Sequence, residues 1–231
     1  MTIAAPAGVQ DPPAERACRL VVERFARSIE VPQHFFESQA DAVSLACCQM
    51  ARRFQLGGRL LVFGEGAAAT DAQHVAVEFV HPVLVGKRAL PAVALPNDVA
   101  VLTGGGPAAG AESAFADALG ILGRPNDMAM GISGGAGSPR VLRGLERARE
   151  MGLLTLALLG AAAGGTGEGG GPECGWRSSA DGTVSEGGGE QTSFVFAVSS
   201  SDPLVVQEVH ETLYHVLWEL VHVFFEHRAV T

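Results

Sequence analysis

Residues 59–80 read Arg59-Leu60-Leu61-Val62-Phe63-Gly64-Glu65-Gly66-Ala67-Ala68-Ala69-Thr70-Asp71-Ala72-Gln73-His74-Val75-Ala76-Val77-Glu78-Phe79-Val80. The first six residues form a short apolar run that does not alternate and stops at a glycine. Residues 70–80 have helical spacing. An apolar run without alternation reads as a strand buried on both faces. A helix directly behind it is the beginning of a parallel crossover.

Four more runs of the same kind lie downstream, at 91–95, 128–133, 153–159 and 194–198. A helix is predicted at 139–151, behind the third run. The last segment, from 203 to about 227, is a long helix whose apolar positions cover much of its circumference, which predicts burial against another subunit as well as its own sheet. Upstream, 14–30 and 37–54 have helical spacing, and Val31-Pro32 predicts a break between two helices. Five strands with helices on both faces predict an α/β fold, a three-layer αβα sandwich. Residues 1–13 lack periodicity and read as a flexible arm before a single domain, 14–231. Twelve of residues 160–190 are glycine. Such a stretch buries too little apolar area to offset its ordering entropy, so 161–190 is expected to be a mobile insertion.

The composition narrows the function. The chain has 231 residues, 47% hydrophobic and 18% charged, with a formal net charge of −9. There is no Lys/Arg cluster of the kind that binds a phosphate backbone, so a nucleic-acid partner is not expected. No apolar run reaches membrane-spanning length, and the first residues lack an apolar leader, so no membrane partner is expected. Cys18, Cys47, Cys48 and Cys174 show no CxxC spacing. These features predict a soluble protein of the reducing cytoplasm. Low charge with high apolar content predicts that other subunits cover some apolar surface.

In open parallel sheets, ligands bind at the carboxyl ends of strands, where helix N-termini present N–H groups. Two strand-to-helix turns qualify here: 64–71 and 133–140. The first fits a loose G-x-G-x-x-A pattern, but the acidic residue a dinucleotide site needs about 20 positions on is not convincing. His74 and Glu78 are i, i+4 on one helix and share a face, a plausible zinc half-site. Gln207 and His215 are about 12 Å apart in rise and converge only if their side chains lean together. Isolated histidines on the apolar helices (His81, His210, His222 and His227) read as core or interface residues.

Several motifs in register resemble the SIS (sugar isomerase) family, in particular its phosphoheptose isomerase subgroup. They are Gly64-x-Gly66 through Asp71-Ala72-Gln73-His74 and Glu78, then 88–95 and Asp98, then 131–138 with 141–152, and last Val206-Gln207-Glu208-Val209-His210 through His215. The resemblance implies one SIS domain with a flavodoxin-like five-stranded parallel sheet and N-terminal helices. It implies a homotetramer with sites at subunit boundaries, and one zinc per subunit held by His74, Glu78, Gln207 and His215. It implies Glu78 as general base and His215 as general acid of an aldose–ketose isomerase acting on sedoheptulose 7-phosphate or a related sugar phosphate. Gly64, Glu65, Gly66, Asp98, Ser133, Ser138, Arg140 and Gln207 are the expected substrate-binding residues. The alternative is a non-catalytic relative that binds a sugar phosphate or serves as a tetrameric interaction platform.

The sequence departs from the family at both loops. The first is usually Gly-Asn-Gly-Gly-Ser and here is Gly64-Glu65-Gly66-Ala67-Ala68. The phosphate loop is usually Ser-Thr-Ser-Gly-x-Ser and here is Ser133-Gly134-Gly135-Ala136-Gly137-Ser138. Each hydrogen bond lost to a charged phosphate costs roughly 1.5–3 kcal/mol. Weak phosphate binding is therefore expected, with repulsion from Glu65. Ser138 is expected to cap the following helix with Pro139 at its first position, and Arg140 to supply a replacement charge.

Overall fold

The computed structural model describes residues 13–95, 113–161 and 193–227. The elements are α1 (Pro13–Gln55), β1 (Leu60–Gly64), α2 (Ala67–Val80), β2 (Ala92–Ala94), α3 (Ala114–Leu122), β3 (Met128–Ser133), α4 (Pro139–Glu150), β4 (Leu154–Gly160), β5 (Ser193–Val198) and α5 (Pro203–His227). The strands form one sheet in the order β2-β1-β3-β4-β5, and every pairing is parallel. This is the flavodoxin-like arrangement expected.

Alternation along each strand feeds two separate cores. Leu60 and Val62, Met128 and Met130, Leu156 and Leu158, and Phe194 and Phe196 pack with α1, α2 and α5. Leu61 and Phe63, Ala129, Ala157 and Leu159, and Val195 pack with α3 and α4 on the other face. Both sets are apolar, which is why the strands read as unbroken runs. Fully burying one such side chain contributes about 1.5–3 kcal/mol. Asp127, 1% exposed, accepts from the Arg59 backbone N–H at 2.8 Å and from Arg59 Nη2 at 2.7 Å, pinning the entry ends of β1 and β3 together.

Three expectations need correction. There is one N-terminal helix, not two: Pro32 lies inside α1. Proline removes one intrahelical bond, but α5 holds α1 on both sides of it. Phe35 to Phe54 pack into the core beside α5, while Arg24 pairs with Glu208 at 2.6 Å and Arg27 with Asp202 at 3.2 Å. The helix behind β1 starts at Ala67, not Thr70, because Gly66, at φ 61°, turns the chain immediately after the strand. And α3 was not anticipated. Of the remaining expectations, the arm before Pro13, Asp98 and Cys174 lie outside the described residues, as does the glycine-rich insertion beyond Ala161. Among the described residues no helix is long and apolar enough to cross a membrane, and Cys18, Cys47 and Cys48 are free thiols.

Candidate active site

The strand order reverses direction between β1 and β3, where Gly64 lies beside Ile132. From β1 the chain crosses on one face to β2, and from β3 on the other to β4. A crevice at the carboxyl ends of these strands is where such sheets bind ligands. Its two walls are the 64–66 turn and the 133–138 loop.

Both walls are shaped by glycines. A Cβ on Gly64 would meet the Ala68 carbonyl oxygen at 2.6 Å and that of Ile132 at 2.9 Å. Gly64 is thus needed for packing of the first turn of α2 over the strand, a structural reason for a residue expected to bind substrate. A Cβ on Gly160 would meet the Gly134 carbonyl oxygen at 2.4 Å, and Gly160 N–H donates to Gly135 O at 2.8 Å. The second loop therefore rests on the end of β4. Gly134 and Gly135 have open space where a Cβ would stand. Ser138 Oγ accepts from Val141 N–H at 3.2 Å with Pro139 in the first turn, the cap anticipated. Arg140 Nη1 lies 3.2 Å from Glu65 Oε2 and joins the two walls. Glu65 is therefore not the bare negative charge expected.

Further along α2, acidic and imidazole groups meet α5. His74 lies seven residues into α2, about 10 Å along its axis. Its Nε2 is 3.3 Å from Glu78 Oε1, as i, i+4 spacing requires. Its Nδ1 is 2.9 Å from the Tyr214 hydroxyl on α5. The His74 and His215 rings are 5.3 Å apart and steeply tilted. Gln207 Nε2 donates to Asp71 Oδ1 at 3.0 Å, a turn before His74. Burial pushes the Asp71 carboxyl above the usual carboxylate range, opposed by the Gln207 bond. Burial, then the charges of Glu211, Asp71 and Glu78, push the Tyr214 phenol up, so it remains a hydroxyl.

His74, Glu211 and His215 each offer a ligand atom, and these atoms lie within 4.8 Å of one another. Two imidazoles and a carboxylate are a donor set that divalent zinc accepts. The residues present fit such an ion.

A family model for the SIS domain matches residues 24–160. The chain is 33% identical over 216 residues to the phosphoheptose isomerase of Nitratidesulfovibrio vulgaris (strain DSM 19637 / Miyazaki F), covering 92% of each. It is 32% identical over 209 residues to that of Roseiflexus sp. (strain RS-1), covering 90% of this chain and 95% of the relative. The chain belongs to the SIS-domain family, in its phosphoheptose isomerase subgroup. Among solved structures, the phosphoheptose isomerase of Neisseria gonorrhoeae matches with a TM-score of 0.72 at 26% identity, over 89% of this chain and 98% of that one. The Francisella tularensis enzyme matches in fold, with a TM-score of 0.74 at 24% identity over 90% and 98%.

For this SIS-domain chain, the structure brings His74, Glu78 and His215 together, with Gln207 one turn away on Asp71. Ser133, Ser138, Arg140, Glu65 and Gly66 surround the crevice. Sequence reasoning missed Asp71, Glu211 and Tyr214. Glu211 carried a signal: it stands midway between Gln207 and His215 at i, i+4, i+8 and shares their face. Of the histidines read as structural, His210 is buried with its ring nitrogen 3.3 Å from Leu159 O, and His222 sits between the carbonyls of Trp218 and Arg88. His81 is exposed at the end of α2, and the His227 side chain lies outside the described residues.

Proposed function

We propose that the chain is an aldose–ketose isomerase whose substrate is sedoheptulose 7-phosphate or a closely related sugar phosphate. The observation that supports this best is the meeting of His74, Glu78 and His215 from two helices, α2 and α5. Moving a carbonyl by one carbon requires a proton to leave one carbon and another to arrive at its neighbour, through an enediol. Glu78 takes the proton, and His215 protonates the adjacent centre. Tyr214 fixes the His74 ring through Nδ1. In the crevice, Ser133, Ser138, Arg140 and the N–H groups at the start of α4 receive the phosphate, and Gly64, Glu65 and Gly66 line the sugar path; Asp98, expected to share that role, lies outside the described residues. His74, Glu78, Gln207 and His215 would hold one zinc ion per subunit, which when bound supplies Lewis-acid polarisation of the carbonyl. The working form is a homotetramer in the cytoplasm.

Metal analysis of the purified protein, paired with an isomerase assay on sedoheptulose 7-phosphate, tests this. We expect turnover slower than that of a relative with the full hydroxyl loop. Glu78→Gln and His215→Gln should each lower kcat by roughly 10²–10⁴-fold with an unchanged circular dichroism spectrum. A zinc-supplied wild type that binds the sugar phosphate in calorimetry but never isomerises it would favour the non-catalytic reading.

A further inference from the structure

We propose that the cavity between α1 and the carboxyl end of β5 binds a small alkylammonium ion. The cavity has a volume of about 220 Å³, and Glu30, His34, Phe35, Ser38, Gln39 and Ser199 are among the residues that line it. None of its lining residues belongs to the α2–α5 cluster or to the walls of the β1/β3 crevice, so the proposal goes beyond the isomerase reading and does not rest on it. Glu30, Val31, His34, Phe35, Ser38 and Gln39 stand at i, i+1, i+4, i+5, i+8 and i+9 and form one face of α1. β5 is an edge strand, and only the small residues Ala197 and Ser199 stand opposite that face. Size restricts the occupant. A water's share of the liquid is about 30 Å³, and pockets for larger organic ligands start at about 300 Å³. The cavity therefore takes several waters or one small organic molecule.

The lining sets the charge. Gln39 Oε1 is buried and accepts no hydrogen bond among the described residues. A buried acceptor left without a donor is costly, and native structures rarely keep one. Glu30 has no ion-pair partner among the described residues, and Arg27, one turn before it, is engaged by Asp202 at 3.2 Å. Ser38 Oγ donates to Phe35 O at 2.9 Å and so has only lone pairs to offer. No Lys or Arg lines the cavity. A phosphate or carboxylate would meet the Glu30 charge and the Gln39 oxygen with no cation to receive it. An ammonium group brings three donors, one positive charge and no acceptor, which matches what Glu30, Ser38 and Gln39 lack. Val31 and Phe35 supply an apolar wall for an alkyl stem.

The test is calorimetry on the full chain with three probes of matched size: n-butylammonium, 1-butanol and butyrate. We expect n-butylammonium to saturate one site per subunit, 1-butanol to bind at least about tenfold more weakly, and butyrate not to bind. Glu30→Gln removes the charge, and Gln39→Leu removes the buried acceptor. Each should weaken n-butylammonium by at least about tenfold, with circular dichroism checking the fold of both. The proposal is overturned if n-butylammonium shows no saturable binding to the wild type, or if 1-butanol binds as tightly. It is equally overturned if both folded variants bind n-butylammonium as the wild type does. Any of these results leaves the isomerase reading untouched, because neither Glu30 nor Gln39 has a part in it.

Discussion

At the scale of single residues, the two walls of the β1/β3 crevice are where the sequence departs from the family pattern it resembles. Gly134 and Gly135 have room for side chains, so Gly134→Thr and Gly135→Ser restore hydroxyls without strain. Glu65→Asn removes the carboxylate 3.2 Å from Arg140 Nη1 and with it the repulsion of an incoming phosphate. The triple variant should bind a sugar phosphate more tightly, by roughly 1.5–3 kcal/mol for each hydrogen bond regained. Calorimetry showing no gain would mean that this loop does not receive the phosphate. His210 gives a second prediction. Burial lowers its imidazole to about 4, against a small opposing effect from the Leu159 carbonyl. The unfolded chain takes up this proton near pH 6.5, while the folded chain resists until about 4. Its contribution to stability is thus intact above 6.5 and falls by about 3 kcal/mol as the pH drops to 4. Urea unfolding at pH 7.5 and 5 should show a smaller loss for His210→Gln than for the wild type. That His74 and Glu78 meet was legible from their spacing, since two groups four apart on a helix share a face; their roles came through resemblance. Gln207 and His215 came only through resemblance. Tyr214 and Asp71 were hidden because a phenol or carboxylate on a helix looks the same in sequence whether it faces solvent or a neighbour. The Glu65–Arg140 pair depends on two distant loops meeting, which no local pattern encodes.

At the scale of elements, the five strands were legible because each is buried on both faces. α3 was missed although Phe115 and Leu119 have helical spacing, and although a parallel sheet needs a crossover between β2 and β3. It is only nine residues long, between Ser113 and Gly123, too short for its apolar spacing to stand out. α1 errs in the other direction: a local rule against the residue before proline was overridden by packing and ion pairs across α5. The unmade bond remains. Pro32→Ala restores an N–H that can donate to Ser28 O, and helix interiors favour alanine over proline by about 3 kcal/mol. We expect thermal unfolding to move up, with the circular dichroism spectrum otherwise unchanged; a lowered midpoint would show that the proline geometry is required by the packing of Val31 and Phe35.

At the scale of the whole molecule, the first half of α1 presents apolar side chains to solvent. Val21 is 70% exposed and Phe25 67%, with Leu20, Val22 and Ile29 beside them. A single subunit does not need this stripe, and the chain's low charge pointed the same way. If the tetramer implied by the resemblance buries it, Val21→Glu with Phe25→Glu should lower the mass seen by light scattering while leaving the subunit folded; an unchanged mass would place the contact elsewhere. Such an assembly repeats the His74–Tyr214 contact once per subunit, and Tyr214 is the chain's only tyrosine. Biosynthetic 3-fluorotyrosine would therefore place one fluorine per subunit beside His74 and nowhere else. In a ¹⁹F spectrum, one resonance would mean equivalent copies, whereas several would reveal that subunits differ from one another.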